Sequence, residues 1–120
     1  MAPKIPHPFE WNSDFEVFYK DLDEQHQGLF KGIHDCQQSP GDAGLVHTLK
    51  DRVATHFRHE EAKMDKSGYK CEGHKDAHHG FEATLDKWSM PVSDGNISGA
   101  MKWLVEHICG TDFKYKGQLK

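Results

Sequence analysis

The sequence predicts an all-α protein, an antiparallel up-down-up-down four-helix bundle preceded by an extended N-terminal arm. Three observations carry this. Apolar residues recur at three- and four-residue steps in four separate stretches, short breaks rich in proline, glycine and serine divide those stretches, and no stretch of useful length alternates with period two as a strand would. Short connections leave successive helices side by side and running in opposite directions. The 120 residues suit one domain that buries about two-thirds of its unfolded surface around a single core. No internal repeat, low-complexity tract or domain boundary interrupts them.

Residues 1–17 form the arm, where Pro3, Pro6, Pro8, Phe9 and Trp11 prevent an early helix and suggest an extended segment packed on the body. Asn12-Ser13-Asp14 supplies a capped turn before the first helix, which is expected over about 18–37. Phe15, Phe18, Tyr19, Leu22, Leu29, Phe30 and Ile33 mark its apolar stripe, and His26 lies on that stripe, facing the core. Ser39-Pro40-Gly41-Asp42 breaks the chain. The second helix, about 41–65, follows Leu45, Leu49, Val53, His56, Phe57, Glu60 and Met64, and Ser67-Gly68 stops it. The third, about 70–87, carries His74, Ala77, His78, Phe81 and Leu85, and Pro91 to Gly95 connect it to the fourth. That last helix, about 96–109, is closed by Gly110, a favoured residue just past a helix end, and residues 110–120 form a tail.

Composition narrows the function classes. The net charge is −4 with every histidine neutral, and acids and bases are interspersed, so no basic footprint for nucleic acid is present. No apolar run approaches the roughly 20 residues that span a bilayer, and the segment from Met1 to Pro8 lacks the apolar centre of a secretory signal, so a cytoplasmic, membrane-free protein is expected. Cys36, Cys71 and Cys109 are odd in number, far apart and without a CxxC pair, which predicts free thiols.

The chemistry lies in the histidines. His56 and Glu60 are four residues apart, as are His74 and His78, and that spacing puts each pair on one helix face. Imidazole and carboxylate are ligands for iron, zinc or copper, and two such pairs together with His26, His107 and Asp112 exceed what one tetrahedral ion uses. The set points to two ions. Glu60 shares the face of His56, whereas Glu61 is rotated by about 100° and reads as solvated. Asp112 lies five residues after His107, turned away on a continuous helix, so a break at Gly110 is needed to point it back. A carboxylate has two oxygens and can join two cations, which makes Glu60 and Asp112 natural bridges and the histidines natural terminal ligands. His7, His34, His47, His59 and His79 fit no ligand position and read as surface or packing residues.

The fragments Asp23-Glu24-Gln25-His26, His56-Phe57-Arg58-His59-Glu60-Glu61, His74-Lys75-Asp76-Ala77-His78 and the run from Trp103 through His107 and Asp112 to Tyr115 together resemble hemerythrin from end to end. Within that family, the overall length and the stretch from Met90 to Gly95 are similar to the monomeric form, myohemerythrin, rather than the octameric one. The resemblance implies a non-haem di-iron centre (Fe2+/Fe3+). His74, His78 and His107 would hold one iron and His26 and His56 the other, bridged by Glu60, Asp112 and an oxo or hydroxo group. The second iron then has one ligand fewer. The family's chemistry implies that dioxygen binds at that vacancy, end-on as hydroperoxide, and leaves by the reverse path, so the outcome is carriage or storage and not turnover by an enzyme. Small anions such as azide are expected there on the oxidised form. Phe57, Trp103 and Leu104 are placed to wall the dioxygen pocket, with Leu104 nearest the ligand by resemblance, although each also reads as an ordinary core side chain. Tyr69 and Tyr115 are tyrosines near the site in the family. Metal sequestration or detoxification and a di-iron oxidase are the alternatives. Against the oxidase, ferritin-like sites are dominated by glutamate and Glu-x-x-His, unlike the histidine-rich pairs here.

Overall fold

A computed structural model of the chain describes residues 4–119, so Met1 to Pro3 of the expected arm, and Lys120, lie outside the described residues. Four helices make the bundle: α1 (Lys20–Gln38), α2 (Ala43–Lys66), α3 (Glu72–Asp86) and α4 (Asp94–Gly110), with single 3-10 turns at Ser13–Phe15 and Asp112–Tyr115. No strand occurs among the described residues. The 24 residues of α2 run about 36 Å at 1.5 Å per residue, which accounts for most of the long dimension of 41 Å. None of the helices is long and apolar enough to cross a membrane.

Helix α1 packs against α2 and α4, and α2 packs against α3. Long aromatic side chains close the seam between α3 and α4, where Phe81 and Trp103 stack at 4.1 Å. The core runs the length of the bundle through Leu22, Leu29, Phe30, Ile33, Leu49, Val53, Met64, Leu85, Val105 and Ile108, all buried. Cys36 and Cys71 are buried within it and Cys109 is half-buried, and all three are free thiols.

The ends of the helices follow from local chemistry. Asp42 caps α2 by accepting from Gly44 N at 2.9 Å and Leu45 N at 3.2 Å. Gly68 takes a φ of 71° after α2, a left-handed turn that glycine adopts without steric penalty. Ser93 Oγ accepts from Asn96 N at 3.0 Å, and this cap starts α4 at Asp94, so Asp94 and Gly95 belong to the helix and not to the connection the sequence suggested. Helix α4 also continues through Gly110 to a cap at Thr111, beyond the expected stop.

The largest departure concerns the start of α1. Phe18, expected on the apolar stripe, is 70% exposed with a φ of 67°, and the helix begins only at Lys20. Asp23 explains this. Its buried carboxylate accepts from Val17 N at 2.8 Å and Phe18 N at 3.1 Å, which holds those residues outside the helix and turns Val17 inward in place of Phe18. The arm beyond this point lies on α1, where Phe9 stacks on Phe30 at 4.6 Å and Phe15 packs on the same ring at 5.0 Å.

Replacing Asp23 with alanine strands the buried Val17 N–H and releases the arm from α1. The expected loss in unfolding free energy is roughly 1–3 kcal/mol, the penalty for an orphaned buried donor, read from urea denaturation beside the parent.

Candidate metal centre

Each element brings one or two donors to the middle of the bundle. Helix α1 contributes His26, α2 contributes His56 and Glu60 from successive turns, α3 contributes His74 and His78 in the same way, and α4 contributes His107. Asp112 arrives from the 3-10 turn after α4, and all seven side chains are buried. The change from α-helix to the tighter turn re-aims Asp112 toward His107, and the chain achieves this after Thr111 instead of at Gly110.

The seven residues sort into two groups that share both carboxylates. Glu60, His74, His78, His107 and Asp112 form one group, and His26, His56, Glu60 and Asp112 form the other, with ligand atoms in each lying within 4.8 Å of one another. On the three-histidine side, Glu60 Oε1 is 3.0 Å from both His74 Nε2 and His78 Nε2, while Asp112 Oδ1 is 2.8 Å from His74 Nε2 and 3.1 Å from His107 Nε2. On the two-histidine side, Glu60 Oε2 is 3.3 Å from His56 Nε2, and Asp112 Oδ2 is 3.2 Å from His26 Nε2. Each carboxylate therefore turns one oxygen to each group.

These short distances are not a hydrogen-bond network. Glu60 Oε1, both oxygens of Asp112 and His78 Nε2 are buried without a hydrogen-bonding partner of acceptable geometry. His26 Nε2 and His56 Nε2 face each other at 3.1 Å, as do His74 Nε2 and His107 Nε2. Lone pairs aimed at common points, and orphaned where native interiors satisfy nearly every polar atom, fit bound cations. Imidazole and carboxylate suit iron, zinc and other divalent ions alike.

Electrostatics without an ion tell the same story. Burial opposes charging His26, but Asp112 and Glu60 outweigh it and push its pKa up to about 9; His74, under the same carboxylates, also rises to about 9. Burial holds His56 below its ordinary value. Glu60 and Asp112, although buried, are kept well below the usual carboxylate range by the surrounding histidines. Tyr115 donates its hydroxyl to Glu60 Oε2 at 2.8 Å, and burial together with the charges of Asp112 and Glu60 pushes its pKa far up, so it remains a donor. Tyr69 packs edge-on against Tyr115 at 6.3 Å.

Aromatic rings lie flat on the outer histidines. Phe57 stacks on His78 at 3.8 Å and Trp103 on His107 at 4.3 Å, so both cover the three-histidine group. Leu104, on the turn of α4 before His107, is buried. The five remaining histidines lie away from these groups, with His7, His47, His59 and His79 exposed and His34 half-buried.

Two contacts escape the sequence reading. Glu61 is not solvated: it accepts from His78 Nδ1 at 2.8 Å and from Arg58 Nη2 at 3.1 Å. Burial disfavours its charge, but His78 and Arg58 hold its pKa below the ordinary value. Gln25 Oε1 likewise lies 2.7 Å from His56 Nδ1. A rotation of about 100° from Glu60 describes Glu61 on an isolated helix, and only the packing of α3 beside α2 turns that flank toward His78.

The description of the family model that matches residues 17–119 is "Hemerythrin HHE cation binding domain". The chain is 47% identical over 120 residues to the myohemerythrin of Theromyzon tessulatum, covering 99% of this chain and 100% of that one. It is 47% identical over 116 residues to myohemerythrin-1 of Phascolopsis gouldii, covering 96% and 98%. Identity to the hemerythrin alpha subunit of Lingula reevii is 40% over 117 residues, covering 97% and 99%.

The raised histidines set a pH dependence for the metal-free protein. His26 and His74 have folded pKa values of about 9 against ordinary values of 6.5, so the stability they add is complete below 6.5 and is lost as pH rises through about 9. At neutral pH both carry protons that a cation must displace. Calorimetric loading in buffers of different ionisation enthalpy is expected to show proton release near neutrality that falls as pH rises through about 9. Release that does not vary with pH refutes this charge assignment.

Proposed function

The chain belongs to the hemerythrin family, and on that premise we propose that it binds dioxygen reversibly at a centre of two iron ions, as a carrier or store. The observation that carries the proposal is the pair of buried donor groups joined through both oxygens of Glu60 and of Asp112. His74, His78 and His107 would hold one ion and His26 and His56 the other, with Glu60 and Asp112 shared between the two groups. Iron bound there supplies the two electrons that reversible dioxygen binding draws on and recovers.

The protein's own contribution is unequal provision. The His26/His56 position receives one imidazole fewer, so the small ligand is assigned to that side. Leu104, buried one turn before His107, excludes water from the space beside the donors, and Phe57 and Trp103 keep His78 and His107 fixed by stacking. Tyr115 steadies Glu60 from the side facing His26 and His56. A dry, apolar surrounding withholds the protons and water that turn reversible binding into irreversible oxidation, so carriage is favoured over turnover. The near full-length match to myohemerythrins supports a monomer working on dioxygen without a second substrate.

Azide added to the oxidised protein is expected to bind once per chain, at the His26/His56 iron. A crystal structure with azide on the iron of His74, His78 and His107 reverses the assignment.

Leu104→Ala tests the function itself. All seven donors remain, so iron loading and oxygenation are retained, while the shortened side chain admits water. The oxygenated visible band is expected to decay to the oxidised form several times faster than in the parent, with unfolding stability lower by roughly 2–5 kcal/mol. Leu85→Ala, two turns along α3 from His78 and equally buried, controls for destabilisation alone. Equal decay in the Leu104 variant and the parent removes this leucine from the role.

A further inference from the structure

Two ligand histidines are backed by side chains of opposite electrical character. With Nε2 turned to the centre, the ring proton of each must sit on Nδ1, and there His78 meets the carboxylate of Glu61 at 2.8 Å whereas His56 meets the amide oxygen of Gln25 at 2.7 Å. Metal-binding imidazoles are oriented and strengthened by the acceptor behind them. A carboxylate does this more strongly than an amide, because the charge-assisted bond draws the Nδ1 proton outward and enriches Nε2 in electron density.

The surroundings widen the difference. Glu61 is only 12% exposed at its side chain and is fixed by Arg58, whose Nη2 also binds Glu82 Oε1 at 2.6 Å. The charged acceptor is therefore braced from α2 and α3 together. Gln25 has no such bracing among the described residues. It lies with His56 at the edge of a surface cavity of about 250 Å³ that Gly28, Arg52 and Thr55 also line. The firmer acceptor stands behind the three-histidine group, and the weaker one stands behind the two-histidine group beside a surface cavity.

We propose that Glu61 and Gln25 are positioning residues that set the two metal positions apart: Glu61, through His78, anchors one ion, and Gln25, through His56, leaves the other ion exchangeable. The inference rests on the two-iron centre proposed above. It assigns the difference between the ions to the groups behind the ligands as well as to the count of histidines.

The test uses full-length, iron(II)-loaded protein under anaerobic conditions, chased with excess bipyridine while release is followed by colour. The parent is expected to release iron in one fast and one slow phase of equal amplitude. Glu61→Gln should accelerate the slow phase roughly 10–100-fold, the usual effect of losing such a partner, and leave the fast phase alone. Gln25→Glu should slow the fast phase and shift the azide charge-transfer band of the oxidised protein, which Glu61→Gln should leave in place. Asp86→Asn, in an exposed ion pair with Lys50, should change neither phase. Parental rates in both Glu61→Gln and Gln25→Glu overturn the inference, as does equal acceleration of both phases in Glu61→Gln, which signals general loosening. A parent that holds fewer than two irons overturns the centre and this inference with it, whereas two irons released alike in every variant overturn this inference alone.

Discussion

Glu60 and Asp112 are both fully buried, and an ionised carboxylate stripped of water is tolerable only where cations or donors surround it. Five imidazoles provide those surroundings. In the metal-free protein the balance is struck by protons, since His26 and His74 are raised to about 9 and carry charge opposite the two carboxylates at neutral pH. A cation bound there would have to displace those protons and would meet the same two carboxylates. The same carboxylates that favour protonated histidines in the metal-free protein would therefore favour a bound cation.

That constraint explains features that look like irregularities. The pairs at four-residue spacing on α2 and α3 are simple products of helical periodicity, but α1 and α4 deliver single donors and have to be set by their ends. Asp23 stops α1 from starting early by taking the Val17 and Phe18 N–H groups, and the tail from Asp112 to Tyr115 is coiled as a 3-10 turn so that Asp112 enters the core. The two ends are then tied together: the Tyr19 hydroxyl accepts from Leu119 N at 3.0 Å, and Tyr115 packs edge-on against Tyr19 at 6.0 Å while its own hydroxyl holds Glu60. These contacts thus bear directly on the orientation of Glu60.

Much of this was legible from residue spacing, and the parts that were not share one cause. Helical stripes place His26, His56, Glu60, His74 and His78 on core-facing flanks, because those positions repeat the period of the backbone. Tertiary contacts made by polar side chains leave no such period. Phe18 fits the apolar stripe of α1 and is nonetheless exposed, since a carboxylate five residues later captures its backbone. Gly110 looks like a helix end and is the last helical residue instead. Glu61 looks solvated until α3 is placed beside it, and Gln25 is unremarkable as a neighbour of His26 until α2 brings His56 Nδ1 to its amide.

The histidine count and the outer acceptors act in the same direction. Three imidazoles, one of them backed by Glu61, lie beneath the stacked rings of Phe57 and Trp103, so the three-histidine group has a charged acceptor behind it and rings packed over it. Two imidazoles, one backed by a neutral amide, lie beside the surface cavity at Gln25. A centre that only sequesters metal gains nothing from this inequality, because retention is served best by filling both positions alike. A centre that must accept a small ligand and release it unchanged needs one position that stays put and one that can alter its coordination. The arrangement of neutral and charged acceptors behind the histidines therefore adds to the ligand count an argument for reversible ligand binding.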